Sequence, residues 1–241
     1  MLLNTRGIVF QSFKYAESAI IVKIYTEQWG LLSFIVRGVK NKKSTVKLAY
    51  FQPLSILDLV INRREGKELH QIKEIKVLHA YSDLVTDPIK QSLLFFLYEI
   101  LIKTLKEETP DKPLFEWLFN ALTWLDLTEE KVINYHPVFL FQLSRFLGFY
   151  PKFSNGNEIQ YFDLQEGIFQ VHQPEHPNFV SGEIVKQMAL LGTTTFEDCH
   201  TLKIGNTNRR KIVNVLVQYY QLHMPNMHQI HSLEVLKSML E

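Results

Sequence analysis

The stretch SAIIVKIYTEQWGLLSFIVRG, running from Ser18 to Gly38, decides how the first third of the chain folds. Side chains on a strand alternate with a period of two, so Ile20, Val22 and Ile24 share one face of an extended segment at 18–26. Glu27-Gln28-Trp29-Gly30 reads as a turn, and the β-branched and aromatic run at 31–38 reads as the next strand. Working outward, segments of the same kind occur at 5–13, 54–62 and 68–79. Turn-like separators lie at 38–44 and at 63–67, the latter with Gly66. Five strands within the first 80 residues match a small closed barrel, of which the oligonucleotide/oligosaccharide-binding (OB) fold is the five-stranded version. An SH3-like barrel uses a similar number of strands, and periodicity does not separate the two.

From residue 81 the period changes. Asp87-Pro88 is an N-cap followed by proline at the first helical position. Leu93, Leu97, Leu101 and Leu105 then fall on one stripe, with Phe95, Phe96 and Ile102 elsewhere around the helix. Such a helix is expected to be buried on most sides. A second helix is expected over 113–125 and a third from Thr128 towards Gly148, kinked or split at Pro137. Residues 151–180 break the pattern: 154–157 is a turn cluster, and 161–164 with 168–171 forms a candidate hairpin around Gln165-Glu166-Gly167. Helices resume at 182–191, 208–223 and 232–240. The expected class is α+β: an N-terminal five-stranded OB-fold β-barrel at 1–80, then a helical domain at 81–241 with a small non-helical insertion at about 151–180.

The composition is that of an ordinary globular chain, 46% hydrophobic and 21% charged, so no part of it reads as a disordered tail. A single cysteine, Cys199, excludes an intrachain disulfide framework and fits a reducing cytosol. The most apolar run, residues 93–102, is half the roughly twenty residues a membrane span needs, and it carries Glu99. The N-terminus reads as a strand and not as a signal peptide. A cytoplasmic protein with no membrane contact is expected.

A net charge of only +1 hides two different halves. Residues 1–80 hold 13 Lys/Arg against 6 Asp/Glu, and residues 81–241 hold 13 against 19. Arg37, Lys40, Lys42, Lys43 and Lys47 fall within eleven residues that contain no acid. Such a run beside a barrel face suits a sequence-independent grip on phosphates, since each neutralised phosphate releases condensed counterions. A solvated charged loop is the competing reading. Tyr15, Tyr25, Trp29 and Phe34 are candidate base-stacking platforms, although each also fits a core position. Arg63, Arg64 and Lys67 sit between the last two strands, where OB folds often carry a second binding loop. Glu65 and Glu68 are interleaved there, so an ordinary charged hairpin fits equally well.

The remaining chemistry is sparse. A structural zinc site needs four ligands in closely spaced pairs, and His172 with His176 has no partner pair. There is no phosphate-cradling G-x-x-x-x-G-K-[ST] run, no nucleophile motif and no carboxylate cluster in the basic segment. Neither catalysis nor a cofactor is expected. Arg145, Arg209 and Arg210 stand out in the acidic domain. A peptide with a terminal carboxylate and aromatic side chains needs a cation beside an apolar groove, and Arg145 is flanked by Phe141, Leu143, Phe146 and Phe149. An internal ion pair is the competing reading for all three.

Several motifs, in order, resemble the bacterial RecO family of recombinational repair proteins. They are Gly7-Ile8-Val9, Tyr15-Ala16-Glu17, Tyr25 to Gly30, Arg37-Gly38 leading to Lys43-Ser44, and Phe51-Gln52-Pro53. They continue with Leu143-Ser144-Arg145-Phe146-Leu147-Gly148-Phe149-Tyr150-Pro151, Arg209 to Leu216, Tyr219-Tyr220 and Ser232-Leu233 with Val235-Leu236. The resemblance implies an OB barrel followed by a helical domain. It also implies binding of single- and double-stranded DNA, annealing of complementary strands and recognition of the C-terminal tail of single-strand binding protein. Joint action with RecR in loading recombinase is implied as well. An adaptor whose barrel binds an acidic protein surface is the alternative. Many family members carry a four-cysteine zinc site just after the Leu-Gly-Phe-x-Pro element, whereas residues 152–178 contain no cysteine.

Overall fold

The alternating segments of the N-terminal third close into a barrel in the computed structural model, which describes residues 2–38, 47–63, 66–106, 109–154 and 159–240. Its strands are β1 (Leu2–Ala16), β2 (Ala19–Thr26), β3 (Gly30–Arg37), β4 (Ile56–Asn62) and β5 (Leu69–His79). They close in the order β1-β2-β3-β5-β4, with β3 and β5 parallel and the other pairs antiparallel. This is the OB arrangement, and it resolves the choice that periodicity left open. Val9, Val22, Ile24, Leu32, Phe34 and Leu59 fill the interior. Gly7 on β1 leaves room for that packing, because a Cβ there would lie 2.5 Å from Ile24 Cγ2.

The chain divides into two compact units: Met1–Asp87 with Tyr98–Leu127, and Pro88–Leu97 with Thr128–Glu241. Helix α1 (Pro88–Thr104) contributes to both, and α2 (Lys112–Leu127) belongs with the barrel. Phe115 of α2 stacks on Tyr25 at 6.3 Å, and Tyr25 stacks on Phe10 at 5.6 Å. Arg6 of β1 pairs with Glu27 (2.9 Å) and with Glu116 of α2, its guanidinium lying 5.3 Å from the rings of both Phe115 and Phe119. Buried Asp126, near the end of α2, accepts hydrogen bonds from the backbone N–H groups of Ser82 (3.0 Å) and Leu84 (2.9 Å) and contacts His79 Nε2 at 2.8 Å. Satisfying those donors fixes the chain where it leaves the barrel.

The second unit contains α3 (Tyr135–Phe146), α4 (Glu183–Leu191), α5 (Asn206–His223) and α6 (Ser232–Met239). The helix expected from Thr128 begins only at Tyr135. Pro137 therefore lies in its first turn, where a missing N–H costs no hydrogen bond and no kink results. Phe95 also departs from expectation: Leu93, Phe96 and Leu97 are buried, but Phe95 is 58% exposed. The insertion forms a small sheet of β6 (Lys152–Phe153), β7 (Tyr161–Asp163), β8 (Ile168–Gln170) and β9 (Phe179–Ser181), in the order β6-β8-β7-β9. The expected hairpin is its β7–β8 pair. No described helix is long and apolar enough to cross a membrane.

Candidate nucleic-acid interface

Strand register sorts the candidate DNA-binding residues onto opposite ends of the barrel. The β2–β3 turn and the β4–β5 connection share one end, since β3 and β5 run parallel with Ser33 beside Leu69. Trp29 and Arg63 meet there, with the guanidinium 6.0 Å from the indole. The Thr26 hydroxyl pins that turn by donating to the Gly30 carbonyl at 2.8 Å. Arg37, at the finish of β3, lies at the other end. Eight extended residues separate the two ends by about 23 Å at 3.3 Å per residue.

At that second end β1 and β2 continue as a ribbon beyond the barrel core, and residues 12–18 are all exposed. Arg37 pairs in register with Ala19, and the Gly38 N–H donates to the Ser18 carbonyl at 2.7 Å. The chain is next described at Lys47, followed by a 3-10 turn, Leu48–Phe51. Arg37 and Lys47 are both exposed and have no ion-pair partner among the described residues. Lys40, Lys42, Lys43 and Arg64 lie outside the described residues. Not every cation of the basic segment is available to a ligand. Arg6 is committed to Glu27 and Glu116, and its hydrogen bond holds the Glu27 carboxyl below the usual carboxylate range.

Burial divides the four aromatic candidates. Phe34 is fully buried in the barrel interior, and Tyr25 is 3% exposed between Phe10 and Phe115. Neither ring can present a face to a base, so both are corrected from candidate platforms to core residues. Burial, with Asp111 adding to it, also raises the Tyr25 phenol above its ordinary pKa. Trp29 is half-buried against the core with Arg63 over its ring, and Tyr15 stands 61% exposed on the ribbon. The sequence reading missed Phe13 (47% exposed) and Leu48 (51%), which flank the same ribbon end. The signal for Phe13 was its spacing of two from Tyr15, which continues the strand past residue 13.

The three arginines of the second unit do not converge. Arg145 is exposed in the last turn of α3, its guanidinium 4.6 Å from the centroid of the Tyr150 ring. The Tyr150 hydroxyl donates to the Gly192 carbonyl (3.0 Å), and the ring meets Phe141 edge-on, so the platform under the cation is fixed. Arg209 is corrected from a peptide ligand to a structural residue. It is 6% exposed and donates to the Ile204 carbonyl (3.2 Å), Asn206 Oδ1 (3.1 Å) and Asn134 Oδ1 (3.5 Å). Burial, and then the neighbouring Arg210, pull its pKa below the usual guanidinium value. Arg210 is half-buried and donates to the Lys237 carbonyl at 3.3 Å. Both border His136 in the first turn of α3, whereas Arg145 lies about 13 Å further along that helix.

The model for the N-terminal region of recombination protein O matches residues 1–81, and the C-terminal model matches residues 85–233. The chain belongs to the recombination protein O family. It is 34% identical over 242 residues to DNA repair protein RecO of Bacteroides fragilis, with all of both chains covered. It is 36% identical over 239 residues to that of Phocaeicola vulgatus, covering 99% of each chain. The protein of the same name from Porphyromonas gingivalis is 25% identical over 245 residues, again end to end. This is a DNA repair family, built in this chain as an OB barrel followed by helices.

The zinc site of many RecO family members does not fit the residues of this insertion. Cys199 is buried outside the sheet, and no group of three or more His, Cys, Asp or Glu suited to a metal occurs among the described residues. Asp163 instead contacts His176 Nε2 at 3.1 Å and accepts the N–H groups of Gln165 and Glu166, closing the β7–β8 turn. Aromatic packing supplies the cohesion. Phe169 stacks on Phe162 (4.4 Å) and Phe153 (4.9 Å), and Phe162 meets Tyr219 of α5 at 5.2 Å. Gly167 lets the turn approach α5, because a Cβ there would collide with the Tyr219 hydroxyl.

Proposed function

We propose that the protein is a recombination mediator that binds single- and double-stranded DNA, anneals complementary strands and helps load recombinase onto DNA coated by single-strand binding protein. The supporting observation is the acid-free cationic run, bounded by exposed Arg37 and Lys47 at the ribbon end of an OB barrel in a DNA repair family. Cations there neutralise phosphates of either strand, which reduces the repulsion opposing the approach of two strands. In this reading residues 1–80 are the DNA-binding module, and Arg63 and Arg64 extend contact to the other barrel end. Residues 81–241 capture the tail of single-strand binding protein through Arg145, held over Tyr150, and RecR joins the complex for loading. The protein works without covalent chemistry and without a cofactor.

A salt titration of oligonucleotide binding tests this. Replacing Arg37, Lys40, Lys42 and Lys43 with alanine is expected to reduce the log–log salt slope on single-stranded DNA by about 3, from roughly 0.7 per phosphate. The loss is expected for all sequences alike. An unchanged slope in the folded variant rules out this grip.

A further inference from the structure

Beside the ribbon the surface forms a hollow of about 240 Å3, lined by Phe13, Ala16, Ala19, Ile20 and Leu48, with Lys14 among its polar rim. Two of the lining residues are large, apolar and about half exposed, Phe13 at 47% and Leu48 at 51%. Neither is required by the barrel core. Ala19 pairs in register with Arg37, and Leu48 directly follows Lys47, so both described ends of the cationic run are backbone neighbours of residues that line this hollow. Glu17 is the one acid lining it.

We propose that this hollow takes up an unstacked base of single-stranded DNA, with Phe13 as its stacking face and Leu48 as its wall. The inference rests on the DNA-binding reading above and adds to it a preference for bases over bare backbone. Charge complementarity selects the occupant: an apolar concavity with Lys14 on its rim, and with exposed Arg37 and Lys47 next along the backbone to lining residues Ala19 and Leu48, matches a flat heterocycle attached to phosphates. A duplex keeps its bases stacked and cannot fill the hollow. The proposal therefore also predicts that single strands gain from this site and duplexes do not.

The test compares the full-length chain on oligo-dT, on an abasic oligomer of equal length and on duplex. Phe13→Ala is expected to weaken oligo-dT binding by roughly tenfold, within the range expected for loss of one stacked base. Binding to the abasic oligomer and to duplex, and the salt slope, should stay as in wild type. Phe13→Trp should keep the preference for oligo-dT over the abasic strand. Because Phe13 is exposed, far-UV circular dichroism of the variants should match wild type. The proposal is overturned if Phe13→Ala and the Phe13→Ala/Leu48→Ala double variant both retain the oligo-dT preference. An acidic peptide that competes for wild type but not for Phe13→Ala, with that preference untouched, assigns the hollow to a protein and overturns it too. A wild type that binds neither oligomer in a salt-dependent way removes the DNA-binding reading itself, a result distinct from retained preference.

Discussion

Replacing Arg209 with alanine separates scaffold from binding site in the second unit. The guanidinium makes two firm hydrogen bonds, to the Ile204 carbonyl at 3.2 Å and Asn206 Oδ1 at 3.1 Å, and a long one to Asn134 Oδ1 at 3.5 Å. Asn134 in turn donates to the Leu202 carbonyl at 2.9 Å, so the network ties the start of α5 to the residues preceding α3. Two charge-assisted bonds at about 1.5–3 kcal/mol each set the gross loss. Desolvation of the cation and its proximity to Arg210 offset part of it, which leaves a net destabilisation of about 3 kcal/mol. At a urea dependence of about 2 kcal/mol/M the unfolding midpoint should fall by about 1.5 M. Arg145→Ala is the control, because its exposed cation–π contact contributes only about 0.5–1 kcal/mol. Urea titrations followed by far-UV circular dichroism measure both. An acidic peptide with C-terminal aromatic residues then reports binding, which Arg145→Ala should weaken and which Arg209→Ala should leave intact at low urea. An unshifted midpoint in Arg209→Ala, or selective loss of peptide binding in that variant, would refute the division.

Buried His136 has its pKa lowered to about 3, first by burial and then by Arg209, so the folded state resists protonation that the unfolded chain accepts near 6.5. Stability is therefore full above about pH 6.5 and falls by about 1.4 kcal/mol per unit towards pH 3; urea midpoints of wild type should drop more steeply between pH 7 and 5 than those of His136→Gln, and parallel profiles refute the assignment. Phe169→Ala empties the aromatic stack of the insertion and should cost about 3–5 kcal/mol, read as a lowered thermal midpoint. Elemental measurement should find no stoichiometric zinc in the purified protein, and chelator should leave its thermal midpoint unmoved; near one zinc per chain would show ligands beyond His172 and His176.

The amino-acid sequence alone determined the elements that depend on local periodicity. Alternation laid out the five barrel strands, Asp87-Pro88 marked the start of α1, and Gln165-Glu166-Gly167 marked the β7–β8 turn, since each is set by residues adjacent along the chain. The acid-free run from Arg37 to Lys47 was visible for the same reason. Tertiary structure decided which faces survive at the surface. Tyr25 is adjacent to inward-facing Ile24 and so alternates to the outside of the barrel, yet it is buried between Phe10 of β1 and Phe115, which comes from a helix some ninety residues away. Arg6, Arg145 and Arg209 look alike as cations. Only packing commits the first to Glu27 and Glu116, buries the third among carbonyls and leaves the second exposed over the half-buried Tyr150 ring. Burial sums over neighbours brought together by the fold, and the partners that decide the state of a charge or a ring are distant in sequence.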